Sequence, residues 1–205
     1  MIDLYAWATP NSIKVPILLE ELGLAYTVKP VNIRQGEQKT PEFLNLNPNG
    51  KVPVIVDSDG PGHQPIVIVE SVAILIYLAE KQGKFIPEDQ VGRIRCFEWL
   101  FFHASSLGPS FGQSGYFQKL APEKIPAAIE RFHNEAIRTI KILDQRLATT
   151  EYLAGDYSIA DIANFGWIWR REFAGIDFAD TPHVERWYAA LEQRPAIQNA
   201  IAALA

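Results

Sequence analysis

Three short stretches of this chain hold residues whose types and spacing can do chemistry. In Thr9-Pro10-Asn11-Ser12 a hydroxyl and a carboxamide stand two residues apart, where an N-terminal strand pattern gives way to a helical one. Open α/β sheets bind ligands at this place, outside the carboxyl ends of their strands. Neither Thr9 nor Asn11 is an acid or base near neutral pH, but both donate hydrogen bonds, and donation to a sulfur anion favours its ionised form. A free thiol with a pKa of about 8.5 is only a few per cent ionised at pH 7, and one unit of depression corresponds to about 1.4 kcal/mol. One donated bond together with a helix N-terminus supplies energy of that order. The same four residues also make an ordinary turn with a cap, and on their own they fit that reading as well.

Glu70-Ser71 stands just before an apolar helix. The orphan N–H groups and partial positive charge of a helix N-terminus, with the Ser71 hydroxyl, can hold a ligand carboxylate while Glu70 meets a cationic amine. An α-amino acid offers both groups. The alternative is that Ser71 only caps its own helix. Val52-Pro53 opens a strand, and proline, which cannot donate to a ladder, belongs there at an edge or turn. A cis bond, found at about 5–6% of X-Pro positions, would turn the N–H and C=O of Val52 outward for pairing with an extended peptide. A trans proline starting an edge strand fits the spacing equally.

The elements that must position these residues follow from periodicity. Ile2 to Trp7 alternates as a strand with Ile2, Leu4 and Ala6 on one face, and Val15, Leu18, Leu19 and Leu22 then recur at helical spacing up to Gly23. Tyr26 to Asn32 alternates again, which makes a βαβ unit with parallel strands and a right-handed crossover. Arg34 to Gly50 reads as a loop with at most one weak helix. Val52 to Asp57 and Ile66 to Val69 flank a Gly/Pro-rich connection and form an antiparallel hairpin. The following helix, to about Gln82, is apolar on almost every face and is expected to be buried on both sides. Beyond the breaker region 83–89 every long segment is helical, with Ser158-Ile159-Ala160-Asp161 as a capping box and Pro195 breaking the closing segment in two. The path of Leu107 to Ala121 is not readable from pattern.

Composition narrows the function classes. The 205 residues are 48% hydrophobic and 21% charged, which suits a packed globule. Nineteen Lys plus Arg against twenty-four Asp plus Glu give a net charge of -5, so nothing offers the basic surface that nucleic acid requires. The apolar run from Val72 to Ala79 is far short of the roughly 20 residues that span a bilayer. Met1 to Tyr5 does not read as a signal peptide, and a cytoplasmic location is expected. Cys96, the one cysteine, excludes an intramolecular disulfide and reads as a buried small hydrophobe. His63, His103, His133 and His183 are too scattered for a metal or a triad, and no metal site is expected. Trp7, Trp99, Phe111, Tyr116, Phe117 and Trp167 can line an apolar pocket, though most read as core.

Taken together, the βαβ-ββα half, Val52-Pro53, Glu70-Ser71 and the helical half with its Ser158–Asp161 box resemble a cytosolic glutathione transferase over essentially the whole chain. Thr9-Pro10-Asn11, Pro41-Glu42-Phe43-Leu44, Asn47 to Pro53, Leu107-Gly108-Pro109 with Gly112-Gln113, and Pro126 to Arg131 resemble more narrowly the bacterial nu-class transferases, of disulfide-bond reductase type. The resemblance implies an α/β thioredoxin-like domain at 1–82, a linker at 83–89 and an all-α domain at 90–205. It implies a cis-Pro53 and Val52 pairing with the cysteinyl backbone of glutathione, Glu70 and Ser71 on its γ-glutamyl end, and Gln38 and Lys51 as further contacts. Asn11 and Thr9 become donors to its sulfur, and Arg131 a charged wall contributed by the helical domain. Where commoner classes place Tyr, Ser or Cys, this chain has Thr9, with Tyr5 and Ser12 as rivals for the sulfur. The implied activity is reduction of disulfides by thiolate exchange, with glutathione as co-substrate, no covalently bound cofactor and a homodimeric assembly. Conventional conjugation of electrophiles, a non-catalytic glutathione-binding module and a carrier of apolar ligands are the alternatives.

Overall fold

In the computed structural model, which describes residues 1–205, the alternation of the first residues becomes β1 (Ile2–Ala6), with Ile2, Leu4 and Ala6 buried and Asp3 and Tyr5 half-buried. The helix α1 (Lys14–Leu22) buries Val15, Ile17, Leu18 and Leu19 and stops at Gly23, whose φ of 66° is the left-handed conformation that glycine adopts without a Cβ clash. β2 (Tyr26–Pro30) pairs parallel to β1, while β3 (Val54–Asp57) and β4 (Ile66–Val69) form the expected antiparallel hairpin. The sheet order is β2-β1-β3-β4, which makes β1 central.

Three details differ from the sequence reading. β3 begins at Val54 rather than Val52, because Pro53 has no N–H to give the ladder. The 34–50 stretch carries a 3₁₀ turn, Glu37–Lys39, and a formed helix α2 (Pro41–Leu46). Thr40 caps α2 by accepting from the Phe43 N–H, and Pro41 occupies the first helical position, where no donor is needed. The helix α3 (Ser71–Gln82) is not buried all round: Ser71, Ile74, Leu75, Leu78 and Ala79 form one buried stripe, Val72, Ile76 and Tyr77 are half-buried, and Ala73 is exposed.

The chain divides into two units, Met1–Lys84 with Arg194–Ala205, and Phe85–Gln193. The closing segment breaks at Pro195 as expected, into α8 (Pro182–Glu192) and α9 (Pro195–Ala203). Its second half, however, joins the first unit instead of the helical 90–205 domain. There α9 packs on α1, and Arg194 Nε and Nη2 donate to the two oxygens of Glu21 at 2.6 and 3.0 Å. A pairing 173 residues apart in sequence leaves no local pattern to read.

The second unit is helical apart from its connections and two isolated β-bridges, Tyr152 with Gly155 and Ala154 with Asp156. The stretch that pattern left open is a continuous helical run: α4 (Gln90–Phe102), a π-helical turn at His103–Leu107, α5 (Gly108–Gly115) and a second π turn at Tyr116–Leu120. Gly108 and Gly112 let α5 approach Trp167, since a Cβ at either would lie 3.0 and 3.3 Å from the indole. α6 (Pro126–Leu147) and α7 (Ile159–Trp169) complete the bundle with α8.

At the start of α7 the capping box forms: Ser158 Oγ accepts from the Ala160 N–H at 3.3 Å and Asp161 Oδ2 from the Ser158 N–H at 3.1 Å. Asp161, wholly buried, also accepts from the Leu153 N–H at 3.0 Å and from Trp187 Nε1 at 2.9 Å, tying the turn before α7 to α8. Burial pushes its carboxyl up from 3.8 to about 6, against the donated bonds that pull it down. Truncation would leave these buried donors unpaired, so Asp161→Ala is expected to cost about 3 kcal/mol and lower Tm by roughly 6–12 °C. Since the folded carboxyl holds its proton more tightly than the unfolded one, its contribution to stability is present below the unfolded value and is lost as pH rises through about 6. The Tm advantage of wild type over Asp161→Asn should therefore be larger at pH 4 than at pH 7; an advantage that grows with pH would contradict the assignment.

Candidate functional site

The register of the sheet gathers the nominated residues at one end. Tyr5 lies opposite Val54, and Val54 opposite Val69. Continuing those ladders by one residue places Ala6, Pro53 and Glu70 side by side, at the carboxyl end of β1. The turn Thr9–Ser12 leaves β1 at that end, the Val52-Pro53 peptide enters β3 there, and α3 starts there. The Val52-Pro53 bond is cis, and Val52 lies outside the β3 ladder, which begins at Val54. The preceding loop is built by Asn47, whose Nδ2 donates to the Lys51 carbonyl at 2.7 Å and whose Oδ1 accepts from the Asn49 N–H at 3.0 Å.

Within the Thr9–Ser12 turn, Thr9 Oγ1 accepts from the Ser12 N–H at 3.1 Å and donates to Ser12 Oγ at 3.0 Å. Ser12 is fully buried and makes no side-chain cap on α1, contrary to the capping alternative. Its hydroxyl is occupied with Thr9. Tyr5, the other rival, packs edge-on against Phe43 at 6.5 Å between ring centroids, in the apolar cluster of Val31, Phe43 and Val54. Asn11 is left as the half-buried donor of the turn.

A residue that the sequence reading passed over stands at the centre. Lys14, at the start of α1, is completely buried, and its Nζ donates to Asn11 Oδ1 at 2.8 Å and to Ser71 Oγ at 3.1 Å. Burial holds its amine well below the usual lysine range, and the Glu70 carboxylate partly offsets this. The signal was available: Lys14 sits in line with Leu18 on the apolar face of α1, a place where an unpaired charge is not tolerated.

Ser71 is 8% exposed and occupies the first position of α3, and its hydroxyl accepts from Lys14 rather than capping the helix. Glu70 is exposed, with φ 68° and ψ 115°, a backbone conformation that residues bearing a Cβ rarely adopt. Such outliers concentrate where a side chain must be aimed. The other nominated residues take no part in these hydrogen bonds. Gln38 Nε2 donates to the Ile33 carbonyl at 3.3 Å, Lys51 is exposed, and Arg131 is an exposed residue of α6 in the second unit.

The arrangement offers donors for an anion, a helix N-terminus for a carboxylate and an unpaired peptide edge, but no nucleophile. Cys96 lies buried in α4, its thiol pushed up to about 11 by burial. A thiol in that state is neither exposed nor ionised at neutral pH.

Family models for the glutathione S-transferase N-terminal domain and C-terminal domain match residues 8–81 and 113–195. The disulfide-bond oxidoreductase YfcG of Escherichia coli is 43% identical over 98% of this chain and 94% of its own length. The chain belongs to the glutathione S-transferase family. This transferase also shares 38% identity with the E. coli disulfide-bond oxidoreductase YghU, over 97% of this chain and 73% of that protein. Two solved structures superpose on it closely. A Burkholderia graminis glutathione transferase with two glutathione molecules bound per subunit gives a TM-score of 0.93 at 41% identity, covering 98% of this chain and 87% of that one. A Pseudomonas putida glutathione transferase with one glutathione disulfide bound per subunit gives 0.92 at 39%, covering 98% and 90%.

The conformation of Glu70 yields a stability test for this transferase. A positive φ on a residue with a Cβ costs about 1 kcal/mol or more. Glu70→Gly is therefore expected to raise Tm by roughly 2–4 °C, and a fall in Tm in thermal unfolding would show that the Glu70 side chain, not its backbone, governs the local energy.

Proposed function

We propose that this glutathione transferase is a disulfide-bond reductase that uses glutathione as its thiol. The observation that carries the reading is the pairing of an anion-stabilising site with the absence of any usable protein thiol: Asn11 presents a carboxamide beside a helix N-terminus, and the single cysteine is buried and un-ionised. The names of the relatives at 43% and 38% identity, and the pair of glutathiones or the glutathione disulfide in two structural neighbours, support it.

In this reading Val52 pairs through its peptide with the cysteinyl backbone of glutathione beside Pro53. Glu70 receives the glutamyl ammonium, and Ser71 with the N-terminus of α3 receives its carboxylate. Gln38, Lys51 and Arg131 are proposed as outer polar contacts. Asn11 donates to the sulfur and favours the thiolate, while Thr9, expected from the sequence to donate as well, commits its one hydroxyl proton to Ser12 Oγ and holds the turn. The thiolate attacks one sulfur of a disulfide RSSR, forming a mixed disulfide GSSR and releasing RS⁻, which takes up a proton. A second glutathione thiolate then attacks the glutathione sulfur of GSSR, giving glutathione disulfide and the second RS⁻. Two glutathiones are oxidised and one disulfide is reduced to two thiols. The cytoplasm, a compartment that keeps glutathione reduced, is the setting that this stoichiometry needs.

We also propose a homodimer. Val91, Ile94 and Phe101 are 68%, 50% and 64% exposed and share one face of α4, an apolar stripe that a second copy would cover. Sedimentation at micromolar concentration should give about twice the 23.0 kDa of one chain, and Phe101→Glu should shift it towards one; a wild-type mass of one chain would rule the dimer out.

The activity is tested by glutathione-dependent reduction of a small disulfide, followed through glutathione reductase and NADPH. Wild type should turn over, Cys96→Ser should retain its rate, and Asn11→Ala should lose about 10- to 100-fold, the worth of one hydrogen bond to a charged group. Loss of turnover in a folded Cys96→Ser would sink the ligand-thiol scheme. Conjugation of an aromatic electrophile without disulfide reduction would instead establish a conventional transferase.

A further inference from the structure

Asn11 and Ser71 face the opposite ends of the proposed glutathione, its sulfur and its glutamyl carboxylate, yet they share one buried partner. Lys14 Nζ lies 2.8 Å from Asn11 Oδ1 and 3.1 Å from Ser71 Oγ, and the side chain that joins them has no exposed surface. A lysine amine, charged or neutral, has at least two N–H groups, and both acceptors are oxygens. The consequence is directional. A carboxamide whose oxygen is held by Lys14 presents its NH₂ on the other side, and a hydroxyl whose oxygen accepts from Lys14 keeps its own O–H to donate. Each residue is thereby fixed as a donor towards the ligand, and each faces an anionic group, thiolate or carboxylate.

We propose that Lys14 is the positioning residue of this site: from beneath, its Nζ orients the Asn11 carboxamide to donate to the glutathione sulfur and the Ser71 hydroxyl to donate to the glutamyl carboxylate. The inference rests on the glutathione reading above and deepens it. Lys14 itself does not touch the ligand. Its location explains why a basic side chain is kept on the apolar face of α1, where a lysine is otherwise costly. The Glu70 carboxylate is the charge that offsets this burial from the neighbouring element, so the amine, Glu70 and the two oriented donors form one coupled unit. An apolar side chain of the same length would fill the space and leave the carboxamide free to turn its oxygen towards the thiolate.

The test uses the full chain and reduced glutathione as the probe. Lys14→Met, Lys14→Arg, Asn11→Ala and Lys14→Met/Asn11→Ala are compared with wild type by thermal unfolding, by calorimetric titration and by ultraviolet titration of the bound thiolate. Lys14→Met is expected to keep or raise Tm, to weaken glutathione affinity about 10-fold, and to raise the pKa of the bound thiol by about one unit, which is a factor of ten in thiolate. Lys14→Arg should recover part of both. In the Asn11→Ala background Lys14→Met should move the thiol pKa no further, because the group through which it acts is gone. A Lys14→Met protein with wild-type affinity and thiol pKa overturns the proposal, as does an equal pKa shift in both backgrounds, which would mark a direct charge effect.

Should Lys14→Met fail to fold, Asn11→Asp decides. A carboxylate keeps the oxygen that Lys14 grips but has no N–H for the sulfur, so the protein should be at least as stable as wild type and turn over no faster than Asn11→Ala. Wild-type turnover in Asn11→Asp would overturn the assigned orientation. Wild type that binds no glutathione at all would defeat the functional reading itself, a result separate from any of these.

Discussion

The pairing of β1 on both of its edges is the constraint from which the site follows. Because β2 runs parallel and β3 antiparallel to it, the carboxyl end of β1 meets the end of β2, the entry to β3 and, one strand further, the exit of β4. Four chain segments therefore converge there: the ends of β1, β2 and β4 and the start of β3. A one-residue slip of β3 would send Val54 and Ile55, each fully buried on its own side of the sheet, to the opposite faces and separate Pro53 from Glu70, so the packing that fixes register also fixes the site. No residue of the Thr9–Ser12 turn or of Glu70-Ser71 has to specify its own neighbours; the ladder does it for them.

Packing under that end is dense, and this gives the polar groups their force. Ile13, Val15, Ile17 and Leu18 of the α1 region and Ile74, Leu75 and Leu78 of α3 are completely buried, as are Leu4 and Ile55 of the sheet. In so apolar a setting an amine is expensive unless every N–H is used, and a used N–H is correspondingly directional. The opposite arrangement is seen at Lys81, near the surface, where the Asp57 carboxylate at 2.7 Å raises the amine above its ordinary range. Two lysines of one small unit thus shift in opposite directions, because at Lys14 complete burial outweighs the Glu70 carboxylate, while at Lys81 the hydrogen bond to Asp57 outweighs a slight burial.

What could be read from the sequence divides along the same line between local and distant causes. The order of β1, α1, β2, β3, β4 and α3 was legible because each obeys its own period, and Gly23, Ser158 and Asp161 mark their helices by chemistry confined to a few residues. The path through Leu107–Ala121 was not, since a π turn differs from an α turn by a shift in hydrogen bonding that no residue type announces, and the close approach there depends on glycines facing Trp167, more than fifty residues away. The place of α9 was hidden for the same reason: Arg194 finds Glu21 across nearly the whole chain. At the site, Thr9, Asn11, Pro53, Glu70 and Ser71 announce themselves as polar or special residues at element ends. Lys14 is announced only by its place in line with Leu18 on the apolar face of α1, and the partners that give it a role, Asn11 and Ser71, are brought to it by the fold.

Catalytic sulfur chemistry is usually read from the cysteines, and here that reading leads away from the site. Cys96 is tucked beside Ser158 at 3.9 Å, in the wall of the α7 cap, where desolvation holds it protonated. The groups at the end of β1 are instead donors, namely a carboxamide, hydroxyls, helix amides and a buried amine, with the Glu70 carboxylate as the one charged acceptor beside them. In the proposed reading these donors receive an anion that carries a carboxylate at one end and a second ionisable group near Asn11. The reactive atom then enters with the ligand, and the protein's share of the work is to set its ionisation and direction. On the proposed reading that division accounts for the unreactive character of the site residues, and the positive-φ backbone of this region, at Glu70, then stands at the glutamyl end of the ligand and not at its sulfur.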